Sequence, residues 1–387
     1  PTRRSSDLKL TMKNIANGRM QAAIANSGNA NACTGEQGAR NALRMAESAA
    51  KALGISSDDV IVCSTGVIGQ QLPVEKIEAN MAELKSGLSK KGHEEARIAI
   101  MTTDTHFKEC AVQTEIGGKT VTIGAMCKGS GMIHINLGTM LCFITTDCAI
   151  SSSMLEKALR SSVAGTYNCV SVDGDTSTND TLTIMANGMA GNAEIKSEGD
   201  EFNAFLNALN VLNTVMAKKI AADGEGASRL IECYVKGASS VETARILAKE
   251  IIGSNLVKAA MFGKDANWGR ILCAMGYSGA DFTPEKTDVY FVSRPDAMRY
   301  FTPGENDSVG ADCTDGTKSE KLSGNFESIQ VFKHGVPLDF DEEKASKILA
   351  AESVQILVTL EDGNAEAKAW GCDLTYDYVK INGDYRT

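Results

Sequence analysis

The pair Gly138-Thr139, within "HINLGTMLCFITTD" at residues 134–147, is where this chain could do unusual chemistry. An internal threonine is a poor nucleophile, because its hydroxyl needs a base held beside it. A threonine at a chain terminus carries that base itself: its α-amino group has a pKa of ~7.7–8.0 and accepts a proton near neutrality. Such a terminus arises inside a chain when the hydroxyl attacks the preceding carbonyl, shifting the acyl group from nitrogen to oxygen, and water then cleaves the ester. The attack needs a strained backbone, and glycine before the threonine tolerates it best. The alternative is an ordinary strand entry, a glycine ahead of a β-branched residue. Taken alone, the pair fits both.

The composition narrows the setting. With 387 residues, 43% hydrophobic and 23% charged, the chain reads as a globular enzyme of one to three domains with a large core. No run reaches the ~18–20 apolar residues of a membrane helix, and the opening "PTRRSSDLKL" lacks the apolar stretch of a signal peptide. The net charge of −10, with Lys and Arg scattered, argues against nucleic acid as a partner. Eleven cysteines without a CxxC pair point to reduced thiols and a cytoplasmic location. The four histidines, His93, His106, His134 and His334, have no i,i+4 partner and no adjoining cysteine pair, so no metal site is expected. They also leave few places for a Ser-His-Asp triad.

Short strand-like runs separated by amphipathic helices must position any site. "MQAAIAN" reads as a buried strand leading into the loop "SGNANACTG", and residues 36–53 read as a helix ending at Gly54. "DVIVCS" is a second strand that turns through "TGVIG" into a helix begun by Pro73. Residues 93–101 look helical, and two alternating runs joined by Gly117-Gly118 signal a hairpin. "TMLCFITTD" and "TYNCVSVD" read as strands flanking a helix near 151–163, and 201–222 as a long helix. "RLIECYVKG", "TDVYFVS", "ESIQVFK", "VQILVTLED" and "AEAKAWGCDLTYDYVKI" add strands, with a helix at 342–350. Hairpins mixed with strand–helix alternation imply an α+β layered sandwich with a mixed sheet. Residues 294–325, polar and glycine-rich, read as a surface insertion.

"KGSGMIHINLGTML" resembles the cleavage motif of the ornithine acetyltransferase family, the glutamate N-acetyltransferases of arginine biosynthesis. "NSGNANACTGEQG", "CSTGVIG", "MTTDTHFKE", "SVDGDTSTNDT", "DGEGASRLIE", "NWGRIL" and "GCDLTYDYVKINGDYRT" resemble further family segments, in family order and from about residue 20 to the end. The resemblance implies a self-processing, N-terminal-nucleophile-like fold. It also implies a precursor cut between Gly138 and Thr139 into an α chain at 1–138 and a β chain at 139–387, the two remaining associated as a heterotetramer of two α and two β chains.

The same resemblance implies roles for particular residues. Thr139 is the acyl acceptor, and Thr65 with Gly66 forms the oxyanion hole; a glycine-rich turn after a strand does expose suitable donors, although it is also an ordinary strand-to-helix turn. Thr102, Lys128, Glu225, Asn382 and Thr387 match substrate-binding positions, as does Thr139. A lysine suits the carboxylate that both amino-acid substrates carry; Lys128 is otherwise a solvated charge after a strand. Glu225 would hold an ammonium group, or else be a surface turn residue, with the flanking glycines of "DGEG" letting the backbone approach a ligand. Binding at the C-terminus requires a docked chain end, for which "DLTYDYVKI" is a candidate strand. "DGDTSTND", with Asp173, Asp175, Asn179 and Asp180, resembles a cation loop but lacks the EF-hand glycine and closing glutamate, and reads as structural or pocket-shaping.

Ile135 and Gly138 stand where the family usually has proline and alanine, and Ala266 replaces a usual proline. Gly138 permits the acyl shift, while Ile135 removes a stiffener of the turn. The family's N-terminal section before "NSGNAN" is also longer, which implies a shortened chain here. The expected reaction is ping-pong acetyl transfer from N-acetylornithine to glutamate through an acetyl-threonine ester, without a dissociable cofactor and with acetyl-CoA as an optional second donor. An amidase or aminopeptidase of the same architecture, with water as acceptor, is the nearest alternative; a non-catalytic amino-acid binder is the other.

Overall fold

The computed structural model describes residues 5–134, 140–294, 308–309 (backbone only) and 326–385. Helix α1 (Ser6–Asn14), strand β1 (Ala22–Asn29), helix α2 (Gly35–Leu53) and strand β2 (Val60–Val67) form the first layer. Gly54 caps α2 in the left-handed conformation, φ +73°, as its position after the last apolar residue implies. Strands β1 and β2 pair in parallel, and Ile24, Val60 and Val62 pack beneath Met45 and Ala46 of α2. Strand β1 runs three residues further than "MQAAIAN", through Ser27 to Asn29. Gly28 lies directly opposite Gly66 there, and without side chains the two backbones close up.

Helices α3 (Val74–Ala79), α4 (Met81–Ser86) and α5 (His93–Ala99) follow. Strands β3 (Lys108–Ile116) and β4 (Lys119–Lys128) form the expected hairpin, with Gly117 and Gly118 at φ +57° and +71° in a tight turn that only glycine adopts freely. The chain continues with β5 (Leu141–Thr146), α6 (Ser152–Gly165), β6 (Val170–Ser171), β7 (Thr181–Ala186) and α7 (Asp200–Ala222). "TYNCVSVD" is thus mostly not a strand: Tyr167–Cys169 make a single helical turn and only two residues pair.

The second half supplies β8 (Leu230–Ala238), α8 (Val241–Gly253), α9 (Asn255–Gly263), α10 (Trp268–Tyr277) and β9 (Asp288–Ser293). It closes with β10 (Ser308–Val309), β11 (Ser328–Lys333), β12 (Val336–Pro337), α11 (Glu342–Leu349), β13 (Ser353–Thr359), β14 (Ala365–Cys372) and α12 (Tyr376–Gly383). Of the expected insertion at 294–325, only Arg294 and the short β10 lie within the described residues.

Among the described residues the strands form three sheets: β1-β2, the five-stranded β10-β3-β4-β5-β7, and the seven-stranded β12-β11-β9-β13-β8-β14-β6. Both larger sheets mix parallel and antiparallel neighbours. Helix α7 lies between them, touching β3 and β4 on one side and β14, β8 and β6 on the other. Being covered on both sides, it is apolar nearly all round, with Phe205, Leu209, Leu212, Met216 and Ile220 completely buried. Helix α8 covers the far face of the seven-stranded sheet. The result is the α+β layered sandwich that the sequence implies.

"DLTYDYVKI" is a helix and not a docking strand. Strand β14 ends at Cys372, Thr375 Oγ1 donates to Gly226 O at 2.6 Å, and α12 starts at once. Tyr376 and Val379, three residues apart on α12, are exposed, so they face no sheet.

One buried carboxyl gives a stability test. Asp7 of α1 is 1% exposed, and only one of its oxygens, Oδ1, receives the Asn31 Nδ2 donor at 2.7 Å; Oδ2 has no partner among the described residues. Burial raises the Asp7 carboxyl from 3.8 to about 6, opposed by hydrogen bonds from Ser64 and Asn31. The folded state therefore holds this proton more tightly than the unfolded chain, and stability falls as pH rises between those two values. Asp7→Asn is expected to raise stability at pH 8 by roughly 2–3 kcal/mol relative to the parent and to add nothing below pH 4, read from denaturant midpoints at the two pH values.

Candidate active site

Gly138 and Thr139 lie outside the described residues, but the chain on either side is held by one loop, residues 171–180. Upstream, Asp173 Oδ2 accepts from Met132 N at 2.6 Å and Asp173 Oδ1 from Ile133 N at 2.9 Å. Val172 N donates to Ile133 O at 2.6 Å, and His134 Nδ1 meets Ser171 Oγ at 2.9 Å. Downstream, Asp180 Oδ1 accepts from Met140 N at 2.8 Å. The loop of "DGDTSTND" thus grips both flanks of residues 135–139. Met132 has φ +55°, a left-handed conformation that costs a non-glycine residue roughly 1–2 kcal/mol, so strain is stored on the upstream flank.

The same loop ties in the second half of β2, where Thr65 and Gly66 still pair with β1 and do not form the turn that the sequence implies. Asn179 Nδ2 donates to Ser64 O at 2.8 Å and also to Ala30 O. Ile61 and Cys63 of β2 pack on Leu141 of β5, with Phe143 and Met185 beside them. Two adjacent side chains, Asn179 and Asp180, therefore fasten the residue before Thr65 and the residue after Thr139. Burial pushes the Asp180 carboxyl well above the usual carboxylate range, opposed by its bond from Met140 and the charge of Lys128. Asp180 Oδ2 is buried without a partner among the described residues.

Thr65 is buried and Gly66 has φ +130°. Gly66 lines a cavity of about 430 Å³ together with Ser27, Gly28, Thr102, Ile381 and Tyr385. Thr102 is exposed on that wall, and its backbone N–H donates to Asp104 Oδ2 at 3.2 Å. Lys128, at the end of β4, is 2% exposed. Its Nζ lies 3.6 Å from Asp104 Oδ2, an ion pair too long to use up a donor, so the ammonium keeps capacity for an incoming anion.

Glu225 closes the ring. It is 6% exposed, its N–H donates to Ser130 O at 3.0 Å, and its Oε2 accepts from Asn382 Nδ2 at 2.8 Å. A Cβ on Gly131 would sit 2.2 Å from Glu225 Cδ, so that glycine makes room for the carboxylate. The glycines of "DGEG" clear protein atoms: a Cβ on Gly226 would fall 2.5 Å from Tyr378 N of α12, and one on Gly224 2.7 Å from Cys372 Sγ. Thr65, Gly66, Thr102, Lys128, Glu225 and Asn382 are thus linked through a few shared contacts; Thr387 lies outside the described residues. Sequence reasoning missed Asp104, Lys108 and Asp223. Their four-residue and hundred-residue separations give no local pattern beyond an Asp and a Lys in "TTDTHFK".

The profile of the ArgJ family matches residues 3–387. Over 384 residues the chain is 47% identical to the arginine biosynthesis bifunctional protein ArgJ of Symbiobacterium thermophilum, an alignment covering 99% of this chain and 87% of that protein. It is also 47% identical over 384 residues to ArgJ 1 of Clostridium acetobutylicum, covering 99% and 86%. The crystal structure of arginine biosynthesis bifunctional protein argJ from Bacillus halodurans is 41% identical, with a TM-score of 0.52, and matches 62% of this chain and 97% of that one.

The close approach at Gly66 can be tested directly. A Cβ there would lie 2.3 Å from Gly28 C, backbone against backbone, and φ +130° disfavours any side chain. Gly66→Ala is expected to cost about 2–4 kcal/mol in a denaturant melt and to depress acetyl transfer further than the melt explains. Gly124→Ala, where a Cβ meets nothing within 4 Å, serves as the neutral control.

Proposed function

Because the chain belongs to the ArgJ family, we propose that its acetyl carrier is Thr139, exposed as a new chain terminus by cleavage after Gly138. The protein is an acetyltransferase of arginine biosynthesis that moves the acetyl group from N-acetylornithine to glutamate, giving ornithine and N-acetylglutamate in the cyclic route. In processing, Thr139 Oγ1 attacks the Gly138 carbonyl carbon, the peptide C–N bond breaks, and water hydrolyses the resulting ester. Gly138 leaves as a carboxylate and Thr139 gains a free amine.

In turnover, the amine of Thr139 takes the proton of its own hydroxyl as Oγ1 attacks the acetyl carbonyl. Thr65 and the backbone of Gly66 stabilise the oxyanion. Collapse expels the ornithine amine with a proton and leaves acetyl-threonine; the glutamate amine then attacks the ester carbonyl, the ester C–O bond breaks, and Thr139 Oγ1 recovers a proton from the incoming amine. Lys128 takes a substrate carboxylate; Glu225, Asn382, Thr102 and the terminal Thr387 hold the remaining polar groups. Transfer in preference to hydrolysis requires that water be kept from the ester.

The reading rests on one observation: Asn179 and Asp180 fasten Ser64 and Met140, the neighbours of Thr65 and Thr139, from a single loop. The grip on both sides of residues 135–139 suits a junction held for self-attack. The Bacillus halodurans chain, nearly all of which matches 62% of this one, is about as long as residues 139–387. The remaining parts of the proposal are a cytoplasmic enzyme without a dissociable cofactor, with acetyl-CoA as a second donor, whose 1–138 and 139–387 chains associate two and two.

Thr139→Ala is expected to give one uncut chain of 41.0 kDa with no acetyl transfer, by intact-mass measurement and by release of ornithine from N-acetylornithine. Cleavage after residue 138 in that variant would show that another group performs the attack.

A further inference from the structure

Behind the cavity lies a buried cluster of four charged side chains, only one of which, Lys128, has a role in the reaction proposed above. Asp104 is its centre. Asp104 Oδ1 accepts from Gly129 N at 2.7 Å and Lys108 Nζ at 2.7 Å, and Oδ2 accepts from Thr102 N at 3.2 Å and faces Lys128 Nζ at 3.6 Å. Lys108 reaches across to Asp223 Oδ2 at 2.5 Å. Asp223 also takes the N–H groups of Thr105 and His106, and its carbonyl accepts from Ser130 Oγ at 2.7 Å. One carboxylate thus bonds the backbone at Thr102 and next to Lys128, the two residues assigned above to substrate binding. Through Lys108 it also anchors the turn that carries Glu225.

We propose that Asp104 is a positioning residue that fixes Lys128 and keeps it charged, and so determines how tightly the substrate carboxylate is held. The inference rests on the reading that Lys128 binds that carboxylate. A buried ammonium survives only beside a countercharge. The ionisable groups facing Lys128 are Asp104 from the segment after α5, Lys108 from β3, Glu225 from the turn after α7 and Asp180 ahead of β7. Burial lowers the Lys128 ammonium below its ordinary value; Asp104 opposes this and Lys108 reinforces it. Burial acts against Lys108 as well, but Asp104 and Asp223 outweigh it and hold that lysine above its ordinary value. Asp104 itself stays ionised: burial is overcome by the two lysines, and its carboxyl lies at about 2. Asp104 is therefore the largest of the negative charges that keep Lys128 protonated, with Glu225 adding to it.

The two partners of Lys128 predict shifts of opposite sign. In Asp104→Asn the Lys128 proton is lost at lower pH, so KM for N-acetylornithine climbs from a lower pH than in the parent. A displacement of one unit gives a KM on the order of tenfold higher on that limb, with kcat little changed. In Lys108→Gln the neighbouring positive charge is gone, and the limb moves to higher pH. Asp104→Glu, which keeps the charge, is expected to restore the limb position. Using one substrate throughout cancels the substrate's own titration. Lys128→Met tests the underlying reading separately: if its KM equals the parent's, Lys128 is not the carboxylate site. If Lys128→Met raises KM while Asp104→Asn and Lys108→Gln leave the limb in place, the positioning role of Asp104 is wrong. Should Asp104→Asn fail to fold, the direction of the Lys108→Gln shift decides alone, and a limb that stays or moves to lower pH overturns the proposal.

Discussion

The site depends on adjacent side chains reaching in opposite directions. Asn179 and Asp180 occupy the last turn before β7, where one grips the carbonyl of Ser64 and the other the N–H of Met140. Strand β5 is thereby placed beside the end of β2, and the apolar contact of Leu141 with Ile61 and Cys63 holds the same alignment from below. The small apolar patch between β2 and the entry to β5 resists separation but sets no direction. Hydrogen bonds to fixed backbone groups set direction, and a reaction between a hydroxyl and a carbonyl requires it.

A second constraint is electrostatic. The seam between the five-stranded sheet and the end of α7 contains Lys108, Lys128, Asp104 and Asp223, all nearly removed from water. Such charges stabilise a protein poorly compared with apolar packing of the same volume, since the cost of dehydrating them takes back most of their attraction. Here they connect three separate segments, 102–108, 128–131 and 223–225, which form the wall of the site. Helix α7 makes the connection possible. Largely apolar and clamped between two sheets, it ends at Asp223 and delivers the turn of Glu225, whose N–H donates to Ser130 O.

Glycines mark the other close approaches. Gly28 and Gly66 let two parallel strands touch at the cavity wall, Gly131 admits the Glu225 carboxylate, and Gly226 seats α12. In sequence each looks like a turn or a ligand loop; in the fold each is a place where protein meets protein.

Much of the architecture was legible in the sequence because it is written locally. The capped α2, the Gly117-Gly118 hairpin, the apolar length of α7 and most strands follow from period, caps and turn residues. So does the kind of chemistry available at Gly138-Thr139, which needs only two neighbouring residues. Where local pattern misled, tertiary contact had overruled it: "DLTYDYVKI" alternates like a strand yet winds into α12 once Thr375 is tied to Gly226, and "SGN" extends β1 because a second glycine faces it. The site itself could be proposed from family resemblance, but its supports could not be read at all. Met140 meets Asp180 across 40 residues, Ser64 meets Asn179 across 115, and Lys108 meets Asp223 across 115. No period or cap encodes pairings at such range; they exist only after the layers close, when burial leaves each charged or polar group no water and only a few protein partners within reach.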